Sequence, residues 1–313
     1  MPQTINTNIV SLNAQRNLNG SQSALGVAMQ RLSSGLRVNS AKDDAAGLAI
    51  AERMNSQVRG MNVAIRNAND GISMAQTAEG ALGKMGDMLQ RMRELAVQSR
   101  NATNSDGDRV NLQREFSELQ NEIGRVIRSS SFNTKPLFDG SAGTMEFQVG
   151  ANAQATDRIS IGSIDLLGTA ISAGSALDMT STAITDADVL STVVGGWDGT
   201  SGVSIGGTAS GGTTVASVSQ IDDAMNVIDR ALSIINDKRA IFGAVQNRFE
   251  AVIGNLQTAS ENQAAARSRI MDADFAAETA ALSRAQILQQ AGNAMVAQAN
   301  QLPQQVLSLL RGG

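Results

Sequence analysis

The sequence predicts a mainly α fold: a long antiparallel helical rod, or coiled-coil bundle, with a small β-hairpin region and a short Gly/Ser/Thr-rich outer excursion. Three observations predict it. Apolar residues recur at alternating spacings of three and four in both halves of the chain, the period of a helix seam. That period gives way to twofold alternation only in a short stretch near the middle. Aromatics are scarce, with seven Phe, one Trp and no Tyr among 313 residues, so Ala, Leu, Ile, Val and Met must do the packing.

Leu18, Leu25, Met29, Leu32 and Leu36 mark one face of a first helix, interrupted at Ser33-Ser34-Gly35 and again at Val38-Asn39-Ser40. Ser40 followed by Asp43 reads as a capping-box start for a second helix near Ala41. Its seam runs through Val58, Met61, Ile65, Ala68, Ile72 and Ala75, then from Ala78 through Leu82, Met85, Leu89, Met92 and Ala96. The successive threes at Ile72, Ala75 and Ala78 are a stammer. Continuous over 41–99, this helix would be roughly 90 Å long at about 1.5 Å per residue.

Asn104-Ser105-Asp106-Gly107 reads as a turn before a third helix, whose face carries Leu112, Phe116, Leu119, Ile123 and Val126. Met145, Phe147 and Val149 then alternate with polar neighbours, as do Ile159 and Ile161 beyond a turn-rich stretch, which predicts two paired strands. From 171 to 217 the chain is rich in Gly, Ser, Thr and Ala, and no Lys or Arg occurs between Arg158 and Arg230. That segment is expected to build little core and to stand outward as an exposed acidic excursion.

Helix resumes near Ser219, with Asp222 as a capping-box partner. Ile221, Met225, Ile228, Leu232 and Ile235 restore the seam, followed by Phe242, Val245, Phe249, Val252 and Leu256. A last helix over 275–310 carries Ala291, Met295, Ala299, Leu302, Val306 and Leu309 on one face, and Pro303 is expected to kink or tighten it. The order is a near-palindrome. Folding back at the excursion pairs the two long helices and brings the chain ends together. The expected division is 1–42 with 270–313 as a terminal-helix inner domain, 43–170 with 218–269 as a helical domain bearing the hairpin, and 171–217 as the outer segment.

The ends also differ from the rest in charge. Every carboxylate side chain lies between Asp43 and Glu278. Before Asp43 the only charged side chains are Arg16, Arg31, Arg37 and Lys42, and beyond Glu278 only Arg284 and Arg311. A solvated helical face normally carries Lys and Glu. A face of Asn, Gln and Ser suits burial against neighbours, where an unpaired charge costs far more than a paired amide. Self-association is the expected outcome, with Leu18, Leu25, Met29, Leu32, Leu36, Met295, Leu302, Val306 and Leu309 as the assembly residues.

Other functions find little support. The net charge of −4 and the lack of a basic cluster argue against nucleic acid as a partner. No run of about 18 apolar residues occurs, so no membrane-spanning helix is predicted. The start of the chain shows no basic-then-apolar leader, a mark that a dedicated export route would not leave. With no His and no Cys, the usual general base and the soft metal ligands are missing. The pairs Asp43/Asp44, Asp222/Asp223 and Asp272/Asp274 show neither glycosidase nor cation-loop spacing, and the first two stand at predicted helix starts, where the dipole favours them. Met54, Met61, Met74, Met85, Met88 and Met92 read as core fillers rather than an adaptable groove. No catalytic, metal or cofactor site emerges, and the chain is not expected to be an enzyme.

Several blocks also carry a family resemblance. They are Ile5-Asn6-Thr7-Asn8, Leu12-Asn13-Ala14-Gln15, Arg31-Leu32-Ser33-Ser34-Gly35-Leu36-Arg37 and Asn39-Ser40-Ala41-Lys42-Asp43-Asp44-Ala45-Ala46-Gly47. Further on stand Gln90-Arg91-Met92-Arg93-Glu94-Leu95-Ala96-Val97-Gln98, Gln289-Gln290-Ala291-Gly292, Ala297-Gln298-Ala299-Asn300-Gln301 and Val306-Leu307-Ser308-Leu309-Leu310-Arg311. In these blocks, and in their order, the chain resembles bacterial flagellin over nearly its whole length.

The resemblance implies a structural subunit that polymerises through its terminal helices into the extracellular flagellar filament used for motility. It implies terminal helices that are disordered in the free monomer and ordered in an inner coiled coil, a second shell of central helices, and an outward variable middle that is short here. It further implies unfolded export through the flagellar type III export apparatus, an export chaperone on the C-terminal helix, and contact with hook-associated and cap proteins. Some relatives insert a zinc-protease module, which a chain without His is not expected to match.

A patch read by vertebrate Toll-like receptor 5 falls on Arg91, Leu95, Gln98 and Glu115, expected off or beside the apolar seam. Leu307, Leu309 and Leu310 match the region sensed by cytosolic inflammasome receptors. A hook–filament junction protein is the nearest alternative, and the block from Gln90 to Gln98 favours flagellin over it. A membrane-inserting type III translocator is a further alternative, disfavoured by the lack of a long apolar stretch.

Overall fold

The computed structural model describes residues 8–162, 164–166, 186–194, 203–206 and 216–311, with backbone alone at 186–188 and 302–311. Packing divides the chain into two compact units, Met1–Arg59 with Ala259–Gly313, and Gly60–Thr258. Six helices are described: α1 (Ile9–Ser34), α2 (Ala45–Ser99), α3 (Asp106–Ser129), α4 (Asp186–Val194), α5 (Val218–Met271) and α6 (Phe275–Arg311). α2 and α5 contribute to both units.

In the Gly60–Thr258 unit the alternating three/four seam of α2 lies inside. Met61, Ala68, Ala75, Ala78, Leu82, Met85, Leu89, Met92 and Ala96 are buried, and Ile65 and Ile72 half-buried. The helix continues through the stammer. The phase slip there turns Gly71 and Met74 inward beside Ala75. Gly71 is required by its neighbour, since an added Cβ would lie 2.5 Å from the Phe249 ring. The α5 seam faces it, with Ile221, Ile228, Ile235, Phe242 and Phe249 buried. Ion pairs Arg100–Asp222 and Arg93–Asp229 show that α2 and α5 run antiparallel. Both are exposed and screened by solvent, so the pairs report register more than they hold it.

The helix starts differ from the expected ones in detail. α2 begins at Ala45, because the Asp43 carboxylate is occupied by Ser40 Oγ, Ser40 N–H and Asn39 N–H in the turn before it. Those bonds, the Ser40 hydroxyl first, hold the Asp43 pKa below its usual value. The turn is therefore intact at neutral pH and lost only as pH falls through that lowered value. Asp44 then caps the helix by accepting from Gly47 N–H at 2.7 Å. Ser105 and Asp108 form a capping box on α3, which places Asp106 and Gly107 inside the first turn. On α5 the reciprocal pair is Ser217 with Gln220, while Asp222 turns to Arg100. α6 continues as helix through Pro303.

Two antiparallel hairpins follow α3. β1 (Ser131–Phe132) and β2 (Lys135–Pro136) are joined by Asn133 and Thr134, both left-handed at φ 47 and 65. β3 (Met145–Gln148) and β4 (Arg158–Ile161) pair Met145 with Ile161 and Phe147 with Ile159. The alternation predicted this second hairpin. It places Ile159 and Ile161 in the core and the Phe147 ring edge-on to Phe249, with centroids 5.5 Å apart.

The outer segment departs from expectation. Most of 171–217 lies outside the described residues, but its described parts pack into the core. Val189, Leu190 and Val193 of α4 are buried, as is Ile205. Three buried side chains latch this segment. Gln120 Nε2 donates to the carbonyls of Val193 (2.6 Å) and Val203 (3.1 Å). Gln113 Oε1 accepts from the N–H groups of Ile205 (2.7 Å) and Gly206 (3.2 Å). Ser99 Oγ donates to the Ile205 carbonyl. The overall Gly/Ser/Thr content masks the helical spacing of Val189, Leu190 and Val193, and polar Gln113 and Gln120 gave no hint of burial. Gln113→Ala strands two buried N–H donors. It is expected to cost about 1–3 kcal/mol and to speed amide hydrogen exchange at Ile205 and Gly206, which exchange mass spectrometry reads directly.

In the other unit, the links from α1 to α2 and from α5 to α6 are tied together. Gly35 closes α1 in the left-handed conformation (φ 71), its N–H donating to Arg31 O. Leu36 forms an antiparallel bridge with Asp272, Arg37 N–H donates to Met271 O, and Ala273 N–H donates to Gly35 O. The Arg37 guanidinium donates to Ile270 O at 2.8 Å. Val38, Ala51 and Met271 form a small core beneath this clasp.

Candidate self-assembly surface

α1 and α6 pair as an antiparallel hairpin, with register fixed by polar contacts at both ends. Asn8 Nδ2 donates to Ala299 O and Ser11 Oγ to Asn300 Oδ1, each at 2.7 Å. At the other end Arg31 Nη1 meets Glu278 Oε1 at 3.0 Å. Between them the inward positions follow a heptad: Ser11, Ala14, Leu18, Ser21, Leu25, Ala28 and Leu32 on α1, against Glu278, Leu282, Ala285, Gln289, Gly292, Val296 and Ala299 on α6. Many are small, which brings the helices close. Leu18 Cδ1 lies 3.1 Å from where a Cβ on Gly292 would stand.

A seam of small residues spends few of the large apolar side chains. Ile9, Val10, Leu12, Val27 and Met29 of α1 remain exposed, as do Phe275, Ile287, Leu288 and Met295 of α6. Ile9 and Ile287 are each 66% exposed. An open groove between the helices is lined by Val10, Leu18, Leu288, Gly292 and Met295, among others. Around it stand amides and hydroxyls. The charged side chains of the two helices are Arg16, Arg31, Glu278, Arg284 and Arg311. This surface can do one thing well: bury apolar area against another uncharged apolar surface.

The expected assembly residues divide between the two faces. Leu18, Leu25, Leu32 and Leu36 are half-buried. Met29 is not on their face. Ala28 takes the seam position, at 3% exposure, and Met29 turns to solvent. Met295 is also exposed, at the groove and beside the seam residue Val296. The side chains of Leu302, Val306, Leu307, Leu309 and Leu310 lie outside the described residues. Ile9, Ile287 and Leu288 were missed as exposed apolar residues. The signal was present, because they fall off the seven-residue repeat.

A second group from the sequence lies elsewhere, on α2 and α3. Arg91 pairs with Glu115 at 2.8 Å and with Glu94 at 2.9 Å, and Gln98 is exposed nearby in sequence. Leu95 was expected off or beside the seam, yet it is fully buried. The Arg91–Glu115 contact explains this: α3 packs on that side of α2 and widens its buried face to Met92, Leu95, Ala96 and Ser99. Asp272 and Asp274 are likewise accounted for. Asp274 Oδ1 caps α6 through Ala276 and Ala277, and Asp272 accepts from Ser268 Oγ.

Known proteins are similar to this chain in sequence. The family model for the bacterial flagellin N-terminal helical region matches residues 5–143, and that for the C-terminal helical region matches 225–310. The chain is 42% identical over 309 residues to flagellin of Halalkalibacterium halodurans, with 98% of this chain and 99% of that protein covered. The chain belongs to the bacterial flagellin family. Flagellin B of Vibrio cholerae is 38% identical over 375 residues, covering 99% of this chain and all of that one. The solved structure of a putative flagellar hook-associated protein from Vibrio parahaemolyticus covers 74% of this chain with TM-score 0.56. At 13% identity that likeness concerns the fold alone. The two flagellin family models leave 144–224 between them, the stretch holding β3, β4 and α4. The α1/α6 hairpin lies almost wholly within them.

Proposed function

We propose that this flagellin-family chain is the structural subunit of an extracellular bacterial flagellar filament, polymerising through α1 and α6 to make the propeller of motility. The observation that carries the reading is the set of large apolar side chains left exposed on the α1/α6 hairpin, in a surround poor in charge. Nine large side chains exposed there represent a gross gain on the order of 10 kcal/mol when covered, offset by ordering and association costs. A head-to-tail contact that does not close on itself propagates as a helical polymer.

Electron microscopy of the purified chain, with and without short filament seeds, tests this. Long helical filaments are the expected result, and monomers that stay inert under seeding overturn it. Ile287→Asp combined with Leu288→Asp places two carboxylates on the open face, and seeded growth is expected to fall below detection with the helical content of the monomer unchanged. A hook–filament junction protein, the alternative, occupies a boundary in few copies and would not elongate from seeds.

The same bare face bears on partners before and after assembly. A chaperone that covers Ile287 and Leu288 of α6 would keep the chain soluble until export through a type III apparatus, after which hook-associated and cap proteins meet the same helices. A host receptor approaching α2 and α3 would meet the Arg91–Glu115 pair and Gln98, with Leu95 beneath them.

A further inference from the structure

The methionines range in environment from core to surface, with Met54, Met88, Met145 and Met225 half-buried. Met61, Met74, Met85 and Met92 lie in the helical core. Among the described residues only two are exposed, Met29 at 56% and Met295 at 61%. Both stand on the α1/α6 hairpin and off its seam, Met29 next to Ala28 and Met295 next to Val296, and Met295 borders the groove beside Leu288. The thioethers most open to a solvent oxidant among the described residues are thus carried by the hairpin through which the chain is proposed to assemble.

We propose that Met29 and Met295 are oxidation sites, and that their conversion to sulfoxide by a peroxide blocks polymerisation; the inference rests on the self-assembly reading above. The sulfur lone pair attacks a peroxide oxygen, the O–O bond breaks and an S–O bond forms. With hydrogen peroxide the second oxygen leaves as water, the sulfur losing two electrons and the peroxide gaining them. The product is a polar group with a strong acceptor oxygen on a flexible stem. Docking strips water from that oxygen and offers it Val, Leu and Ile, so the sulfoxide opposes the burial that drives assembly. Once a chain is docked its sulfurs are covered, so the free chain is the form that is sensitive. Methionine sulfoxide reductases reverse the change.

The free chain is treated with dilute hydrogen peroxide, the oxidised positions are mapped by peptide mass spectrometry, and growth from seeds is followed. Met29 and Met295 are expected to gain oxygen before any core methionine. The concentration needed for growth then rises at least about tenfold, equivalent to about 1.4 kcal/mol. Met29→Leu/Met295→Leu, which keeps volume and apolarity, is expected to grow equally well before and after treatment, and the reductases restore the oxidised parent. Unchanged growth of a parent carrying both sulfoxides overturns the proposal, as does failure of reductase treatment to restore it. If the untreated parent does not grow from seeds, the self-assembly reading itself fails and takes this inference with it.

Discussion

Removal of residues 1–39, or of 279–313, is expected to abolish filament growth while the Gly60–Thr258 unit stays folded. Either deletion takes away one partner of the α1/α6 hairpin. The helix left behind then exposes its seam as well as its open face, and loses the contacts of Asn8, Ser11 and Arg31 that set its register. The main core is untouched, because its seam begins at Ala68 and draws on α2, α3, α4, α5 and the β3–β4 hairpin. Circular dichroism should show a cooperative melt for both truncations, and electron microscopy should show no ordered polymer from seeds. Amorphous precipitate is compatible with a bare helix; a helical filament from either truncation refutes the assignment of assembly to the hairpin.

Phe249→Ala is expected to destabilise the same core by about 3–5 kcal/mol, the usual cost of emptying a buried aromatic site. Phe249 is fully buried, meets Phe147 edge-to-face at 82° between ring planes, and fills the space left by Gly71. For a unit of this size the melting temperature should fall by about 6–20 °C. Phe275→Ala, on an exposed ring of α6, is the control, and its melt should match the parent. Equal melts for the two variants would show that Phe249 does not anchor the unit.

Much of this was legible in the sequence because helix seams are periodic. The α2 seam from Met61 to Ala96 and the α5 seam from Ile221 to Phe249 are buried or half-buried as their spacing requires. The β3–β4 hairpin was legible for the same reason, at a period of two. What escaped was burial without apolarity. On α3 the inward residues include Gln113 and Gln120, whose amides satisfy backbone groups of the outer segment, and no hydrophobic pattern records that. The composition of the outer segment predicts little core, although Val189, Leu190 and Val193 carry a helix face. The β1–β2 hairpin is too short to show a period, and Asn133 at its turn was the sole cue.

In the assembly surface, the heptad was diluted by small residues. Ser11, Ala14, Ser21 and Ala28 occupy seam positions that a search for Leu and Met passes over, which is why Met29 was placed on the wrong side. Charge distribution was the better guide. It marked both ends as unlike the rest of the chain, and the hairpin is where that difference resides.

The clasp of Gly35, Leu36 and Arg37 with Ile270, Met271 and Ala273 also bears on mechanics. Both linkers leave the hairpin at the same end, so a pull on the hairpin stretches them side by side in one direction. A cross-link between two strands stretched together is not unzipped. It equalises strain, passing tension from the tauter strand to the slacker one through the Gly35–Ala273 and Arg37–Met271 hydrogen bonds. A subunit held by a single linker would concentrate a bending load on one peptide segment; this chain divides that load between two.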